Sequence, residues 1–255
     1  DGKYRIIELL GRGGWGFVYL AENVKVGNRW AIKEIDLGRG LDVNLLAEPD
    51  ILKRLNHSSL PRIIDVLRED NFLYLVEDYF EGLRLSELIQ SRETCTEENV
   101  VEWAKQLCEI LRYLHRLEPH PIIYGDMKPG NIIVNRENRV RLIDFGIARE
   151  YKPDQSGETT FVGTRGYAAP EQFSAGGRSD ERTDIYGLGA TIFHAATGLS
   201  PNQPPNGKAP VRRFDKTISE GLEWIIGRCM QKDPGQRYQK VEEVLEDLDS
   251  LGDVR

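Results

Sequence analysis

The sequence is poor in cysteine and in net positive charge, and it has no long apolar run. Its three cysteines, Cys95, Cys108 and Cys229, in 255 residues are too few and too scattered for a disulfide framework or a zinc site, and they read as small core hydrophobes in a reducing compartment. No stretch approaches the ~20 apolar residues of a membrane span, and the opening Asp1-Gly2-Lys3-Tyr4-Arg5 carries no signal-peptide pattern. Lysine and arginine number 34 against 41 aspartates and glutamates, a net charge of −7, so clustered positive charge for a nucleic-acid surface is not supplied in excess. Basic partners are easier to accommodate. His57, His115, His120 and His194 show no metal-ligand spacing and are expected in structural or surface roles. There is no initiating Met, and the chain stops at Arg255 after a helical pattern. It is therefore expected to be part of a longer protein, with any anchor or sensor outside it. The expected location is the cytoplasm, as a cytoplasmic protein or as the cytoplasmic domain of a membrane-anchored one.

What is present is ordinary for a globular chain, 40% apolar and 29% charged, and long enough for one large domain or two packed lobes. The first third reads as strands at Lys3 to Leu10, Gly16 to Glu22, Arg29 to Ile35, Arg62 to Leu67 and Phe72 to Asp78, rich in Ile, Val, Tyr and Leu and separated by Gly, Asn or Asp turns. One helical stretch, Asp42 to Leu55, interrupts them. From Leu85 onward helical periods dominate. The clearest is Glu97 to Leu117, where Val100, Ala104, Leu107, Leu111 and Leu114 share a face and Thr94 stands as a capping residue. Phe80-Glu81-Gly82 reads as a short connection, and the Pro/Asn/Gly stretch Ser200 to Pro210 as a surface loop. Trp103, Tyr113 and Trp224 fall in helical patterns as packing residues.

Chemistry enters with Gly11-Arg12-Gly13-Gly14-Trp15-Gly16 between two strand patterns, where missing side chains let backbone N–H groups approach phosphates. A dinucleotide-binding reading is disfavoured because Gly16 leads into the strand Phe17-Val18-Tyr19-Leu20 instead of a helix. Lys33 sits inside the apolar strand Trp30 to Ile35 and needs anionic partners; phosphates and the carboxylate of Glu48 are the obvious pair. Tyr124-Gly125-Asp126-Met127-Lys128-Pro129-Gly130-Asn131 is followed by Arg141-Leu142-Ile143-Asp144-Phe145-Gly146. A carboxylate at Asp126 placed for a hydroxyl, with a lysine two residues on, suits in-line attack on a terminal phosphate. Asn131 and Asp144 add oxygen ligands of the kind Mg²⁺ prefers.

In this order and spacing, these residues resemble the eukaryotic-like protein kinase family, in its bacterial serine/threonine branch, over Gly11 to about Arg237. The resemblance implies an α+β bilobal fold: an N-terminal antiparallel five-stranded sheet plus one helix in residues 1–79, and a mainly helical C-terminal lobe in residues 80–255, together one kinase domain. It implies ATP with Mg²⁺, or Mn²⁺ in its place. Lys33 would hold the α/β-phosphates and pair with Glu48, Asp126 would be the catalytic base, Lys128 would contact the γ-phosphate, and Asn131 and Asp144 would hold the metals. Gly11, Gly13 and Gly16 would cover the phosphates. Val18, Ala31, the backbone near Asp78 and Phe80, and Ile133 would form the adenine slot. Gly163 to Glu171 resembles the family's activation-segment end and peptide-docking loop, Asp184 to Gly189 its central helix, and Arg237 the ion partner of Glu171. Protein substrates bearing Ser or Thr are implied, with no nucleic acid and no membrane contact by this domain. A homodimer through the N-lobe is the pairing found among bacterial relatives.

Four positions depart from the family. Gly125 replaces the arginine before the catalytic Asp, which in relatives reads an activation-segment phosphate, and Tyr124 replaces the usual His. Phosphorylation of Ser156, Thr159 or Thr160 is then expected to matter only weakly. Glu77 falls at the gatekeeper position and is expected either to compete with Glu48 for Lys33 or to turn to water. Pro49 directly follows Glu48; inside a helix it removes a hydrogen bond, whereas in a first turn it is favourable. A kinase that lacks turnover and serves as a nucleotide-binding interaction module therefore stands beside the active enzyme. A small-molecule phosphotransferase is disfavoured because it has no use for Gly163 to Glu171.

Overall fold

The computed structural model describes residues 2–12, 16–37, 47–91, 95–146, 148–151, 163–174, 177–202 and 210–251. Gly13, Thr94, Ser156, Thr159 and Thr160 lie outside the described residues. The chain divides into two compact units, residues 1–81 and 82–255.

Unit one is an antiparallel sheet of five strands: β1 (Tyr4–Arg12), β2 (Phe17–Asn23), β3 (Arg29–Asp36), β4 (Ile63–Glu69) and β5 (Phe72–Asp78), in the order β1-β2-β3-β5-β4. Short polar turns set the register. The Asn23 side chain accepts from the backbone N–H groups of Lys25 and Val26, an Asx turn leading to Gly27 at φ 75. Asp70, at φ 50, turns β4 into β5 so that Glu69 faces Phe72. Period-two alternation separates the faces. Ala21, Ile32 and Val76 pack on one, with Trp30 and Tyr74 against them. Ile35, Leu73 and Leu75 pack on the other. One helix, α1 (Ala47–Leu52), belongs to this unit. It ends at Leu52, short of the expected Leu55, while residues 42–46 lie outside the described residues; Pro49 lies in its first turn, where a missing N–H leaves no helical bond unmade. Lys53 N–H closes the turn on the Pro49 carbonyl at 3.0 Å.

Unit two starts with β6 (Leu83–Arg84) and α2 (Leu85–Ser91), then α3 (Glu97–His115). The α3 face predicted from its 3.6-residue period is the buried one: Val100, Ala104, Leu107, Leu111 and Leu114 are each 0–1% exposed. Its cap is Thr96, whose side chain accepts from Asn99 N–H at 3.3 Å. The Thr94 assignment is thereby corrected; both threonines precede the acidic first turn, and spacing alone did not choose between them. Short strands follow: β7 (Ile122–Ile123), β8 (Ile132–Val134), β9 (Val140–Leu142) and β10 (Arg149–Glu150), with β8 between β6 and β9, and β7 paired to β10. Helices α4 (Glu181–Thr197), α5 (Glu220–Cys229) and α6 (Val241–Ser250) complete the unit. Helix α4 is buried on nearly every side, with α3 and α5 packed against it. It is capped by Asp180 and ends at Gly198, φ 68. Trp103 is buried, its indole N–H on Asn138 Oδ1 at 2.6 Å. Trp224 is 66% exposed, contrary to its expected packing role, because α5 turns Leu222, Ile225, Ile226 and Cys229 inward and Trp224 falls on the opposite side.

Among its polar contacts, this unit contains one fully satisfied buried guanidinium. Arg237 is 1% exposed. Its two terminal nitrogens donate to Glu171 Oε1 and Oε2 at 2.7 and 2.8 Å and also to the carbonyls of Arg182 and Lys232, while Nε donates to the Gln231 carbonyl. All of the donors of the guanidinium fork are thus used. Removing the cation strands a buried carboxylate, so Arg237→Leu is expected to destabilise the fold by about 3–5 kcal/mol. Arg237→Lys, which keeps charge without the fork, should fall in between. The denaturant midpoints of the two variants check this, and a wild-type midpoint in Arg237→Leu would show that the pair contributes nothing.

Candidate active site

In unit one, the strand register puts a lysine among apolar residues. Lys33 lies opposite Val18 on β2 and Leu75 on β5, on the face that carries Ile35, and it is 6% exposed. A buried ammonium requires an anion, which α1 supplies: Lys33 Nζ donates to Glu48 Oε2 at 2.7 Å and Oε1 at 3.0 Å, and Glu48 is equally buried. Glu77 occupies the same face, opposite Ala31, and is 8% exposed. It therefore stays inside instead of turning to water, and the carboxylate engaged bidentately by Lys33 is that of Glu48. Pro49 leaves the pair intact, since a proline in the first turn continues the helix.

Of the glycine-rich segment, Gly11 pairs with Val18 just past a register shift, and Arg12 opposite Phe17 closes the β1–β2 pairing. Gly16 has a steric reason of its own: a Cβ there would lie 1.9 Å from the Glu34 carbonyl oxygen. Ala31 is buried beside Leu20, on the face that includes Val18. The carboxylate of Asp78 is taken by Arg62 through Nε at 2.8 Å, Nη2 at 3.0 Å and the backbone N–H at 3.0 Å, and the Asp78 backbone N–H donates to the Arg62 carbonyl at 3.2 Å. Ile133 belongs to the other unit, on β8, 8% exposed.

In unit two, Asp126, Lys128 and Asn131 converge. Lys128 Nζ donates to Asp126 Oδ2 at 2.6 Å, and the Asn131 amide donates to the same oxygen at 3.0 Å and to the Asp126 carbonyl at 3.1 Å. The remaining carboxylate oxygen, Oδ1, accepts from Thr164 Oγ1 at 2.8 Å, and Thr164 Oγ1 in turn accepts from Lys128 Nζ at 2.7 Å. Both carboxylate oxygens of Asp126 are therefore held, by a cation and two neutral donors, and its side chain is 12% exposed.

The loop backbone is fixed from behind. Asp184, in the first turn of α4, is 1% exposed. It accepts from Tyr124 N–H at 3.0 Å, Gly125 N–H at 2.7 Å and His115 Nε2 at 2.8 Å. Gly125 sits at φ 77, a region where an L side chain is strained. Tyr124 donates its hydroxyl to the Ile143 carbonyl at 2.6 Å and stands edge-on to Phe145 at 5.1 Å. Burial, with Asp126 and Asp144 close by, pushes the phenol well above its usual pKa, so it remains the donor in that bond. The same bond ties the 124–131 loop to the Asp144 segment, as does Ile143 N–H on the Asn131 carbonyl at 2.9 Å. Asp144 itself has φ 64, a left-handed conformation that Asp adopts more readily than most residues.

The donor set fits a small hard cation. Asn131 uses its amide nitrogen on Asp126, which leaves an amide oxygen, and Asp144 supplies a carboxylate. Among the described residues no three His, Cys, Asp or Glu converge on a metal position. One amide oxygen and one carboxylate are donors of the kind Mg²⁺ takes, its shell being completed by nucleotide phosphates and water.

Sequence reading placed Lys33, Glu48, Asp126, Lys128, Asn131 and Asp144 in the chemistry, expected His115 in a structural or surface role, and singled out neither Thr164 nor Gln172 as a contact of the 124–131 loop. Their partners lie far off in sequence, 38 residues for Thr164 and Asp126, 69 for His115 and Asp184 and 47 for Gln172 and Gly125. No local pattern reports such contacts.

The family model described as protein kinase domain matches residues 4–248. Among named proteins, the chain is 29% identical to a probable serine/threonine-protein kinase of Clostridium perfringens, covering 98% of this chain and 38% of that protein. It is 27% identical to the serine/threonine-protein kinase PrkC of Bacillus subtilis, over 100% of this chain and 41% of that one. With the serine/threonine-protein kinase PknB of Mycolicibacterium smegmatis the identity is 28%, over 96% and 42%. The chain thus spans about two fifths of the length of these relatives. With a five-stranded antiparallel sheet, a helical second unit and a family match over nearly its whole length, the chain belongs to the protein kinase family.

Proposed function

We propose that the chain is an active protein serine/threonine kinase, transferring the γ-phosphoryl group of ATP to Ser or Thr hydroxyls of protein substrates, including its own, in signal transduction. The observation that carries this reading is the closed arrangement of Asp126, Lys128, Thr164 and Asn131. It sets a carboxylate beside its neutralising cation, with a hydroxyl and an amide completing the network.

Asp126 orients the incoming hydroxyl and receives its proton as the oxygen–phosphorus bond forms and the ADP oxygen leaves. Lys128 neutralises charge on the transferred group. Lys33, held by Glu48, grips the α/β-phosphates, Gly11, Gly13 and Gly16 cover them, and in the first unit Val18, Ala31 and the Asp78 and Phe80 backbone take the adenine. Asn131 and Asp144 would hold Mg²⁺, or Mn²⁺, which supplies charge neutralisation between the phosphates. Lys128 in place of other residue types at this spacing favours Ser/Thr over Tyr.

The test is label transfer from ATP–Mg²⁺ to a generic basic protein. Asp126→Asn keeps the shape and removes the proton acceptor, so the rate should fall on the order of 10²–10⁴-fold while nucleotide binding persists. Equal label in both proteins, or none in either with nucleotide bound, supports instead an interaction module without turnover.

Gly125 bears no guanidinium, so an activation-segment phosphate has no reader at that position. Substituting Ser156, Thr159 and Thr160 together with Ala should leave peptide phosphorylation within about threefold, well under the tenfold of a single charge-assisted contact. Abolished activity in a folded triple variant overturns this.

The proposed homodimer through the first unit rests on apolar side chains its β1 edge strand leaves exposed: Ile6 at 51%, Ile7 at 47% and Leu9 at 56%. Sedimentation should show association that Ile6→Asp with Leu9→Asp removes; a monomer at all concentrations would exclude it.

A further inference from the structure

Gln172 is a neutral side chain, 6% exposed, in the turn Pro170–Phe173 that ends the 163–174 segment. Its amide spans two pieces of chain. Nε2 donates to the Gly125 carbonyl at 2.9 Å, and Oε1 accepts from Ala169 N–H at 2.8 Å. The turn that carries it is anchored on the preceding residue, because Glu171 is gripped by the buried Arg237 fork. The chain also makes room for the amide: a Cβ on Gly163 would lie 3.2 Å from Gln172 Nε2 and 2.5 Å from the Ala168 Cβ.

Gly125 is thereby held on both sides of its residue, its N–H by Asp184 and its carbonyl by Gln172. Asp126 follows directly, and Thr164, next to Gly163, completes the Asp126 network from the same segment. We propose that Gln172 is a positioning residue that couples the 163–174 segment to the catalytic loop through the Gly125 carbonyl. The coupling needs no phosphate and stands where relatives place an arginine. It rests on the kinase reading above, since its consequence is the alignment of Asp126 with a substrate hydroxyl.

Two variants separate this role from plain structural support. Gln172→Met keeps length and volume and loses both hydrogen bonds. Gln172→Glu keeps the acceptor for Ala169 N–H but sets a carboxylate against the Gly125 carbonyl. Only its protonated form regains a donor, and burial beside a carbonyl raises the pH at which that occurs. For phosphatase-treated protein, kcat of Gln172→Met should fall about tenfold, with KM for ATP within about twofold because its two amide hydrogen bonds go to Gly125 and Ala169, outside the proposed nucleotide-binding residues. The kcat of Gln172→Glu relative to wild type should recover as pH falls from about 8 to about 6, whereas that of Gln172→Met stays flat. Hydrogen exchange in peptides covering 122–131 and 163–172 reads the coupling without turnover, and both should lose protection together in Gln172→Met. Wild-type kcat in Gln172→Met, a Gln172→Glu ratio that does not change with pH, or unaltered exchange in either peptide overturns the proposal. A wild-type chain that transfers no phosphate overturns the kinase reading instead, and the exchange result still decides the coupling.

Discussion

The catalytic loop depends on one buried carboxylate. Asp184 is almost without solvent contact, and an ionised group there is tolerable only if its lone pairs are filled. Two backbone N–H groups and an imidazole fill them, and its place in the first turn of α4 adds the favourable end of the helix dipole. The arrangement also serves the loop. Tyr124 and Gly125 belong to no regular strand or helix, so their N–H groups need a partner from elsewhere, and a side chain from the most buried helix is the most rigid partner the unit offers. The positions of Asp126, Lys128 and Asn131 follow from that anchorage.

The same logic works in the first unit with opposite sign. There the buried charge is the ammonium of Lys33, fixed in place by the alternation of β3, and its counter-charge comes from the short helix α1. A buried ion pair of this kind is weak ground for stability, because desolvation of both ions offsets their attraction. Its presence is better explained by what it holds ready, an ammonium with one direction already chosen. Pro49 supports this: it stiffens the turn that presents Glu48 without removing a bond the helix needs. Glu77 adds a second acidic residue to the same face, so the field at Lys33 is set by more than its partner.

Much of this was legible in the sequence because strands and amphipathic helices carry local periods. The five strands of the sheet and the buried face of α3 agree with the alternation read from residues 3–78 and 97–117. The residues with charge-bearing roles were legible through order and spacing. What stayed hidden has one physical character, contact between groups distant in sequence. Thr164 lies in the segment Gly163 to Glu171 with no role of its own until folding brings its hydroxyl to Asp126, and Gln172 has none until its amide is found enclosed. Trp224 failed for the converse reason, since a helical period assigns a side to each residue but does not say which side meets the core.

Gly125 shows how the departures from the family fit together. An arginine before the catalytic aspartate couples the loop to the activation segment by charge, which acts only when a phosphate is present and weakens with salt. A glycine at φ 77 gives up that link and exposes its carbonyl to a direct neutral contact. Hydrogen bonds between buried amides are individually worth about 0.5–1.5 kcal/mol, but they are unscreened and always present. Leaving either partner unmatched is expensive, so the geometry is strongly specified. A loop clamped by Asp184 on one side of Gly125 and Gln172 on the other is therefore set at the moment of folding.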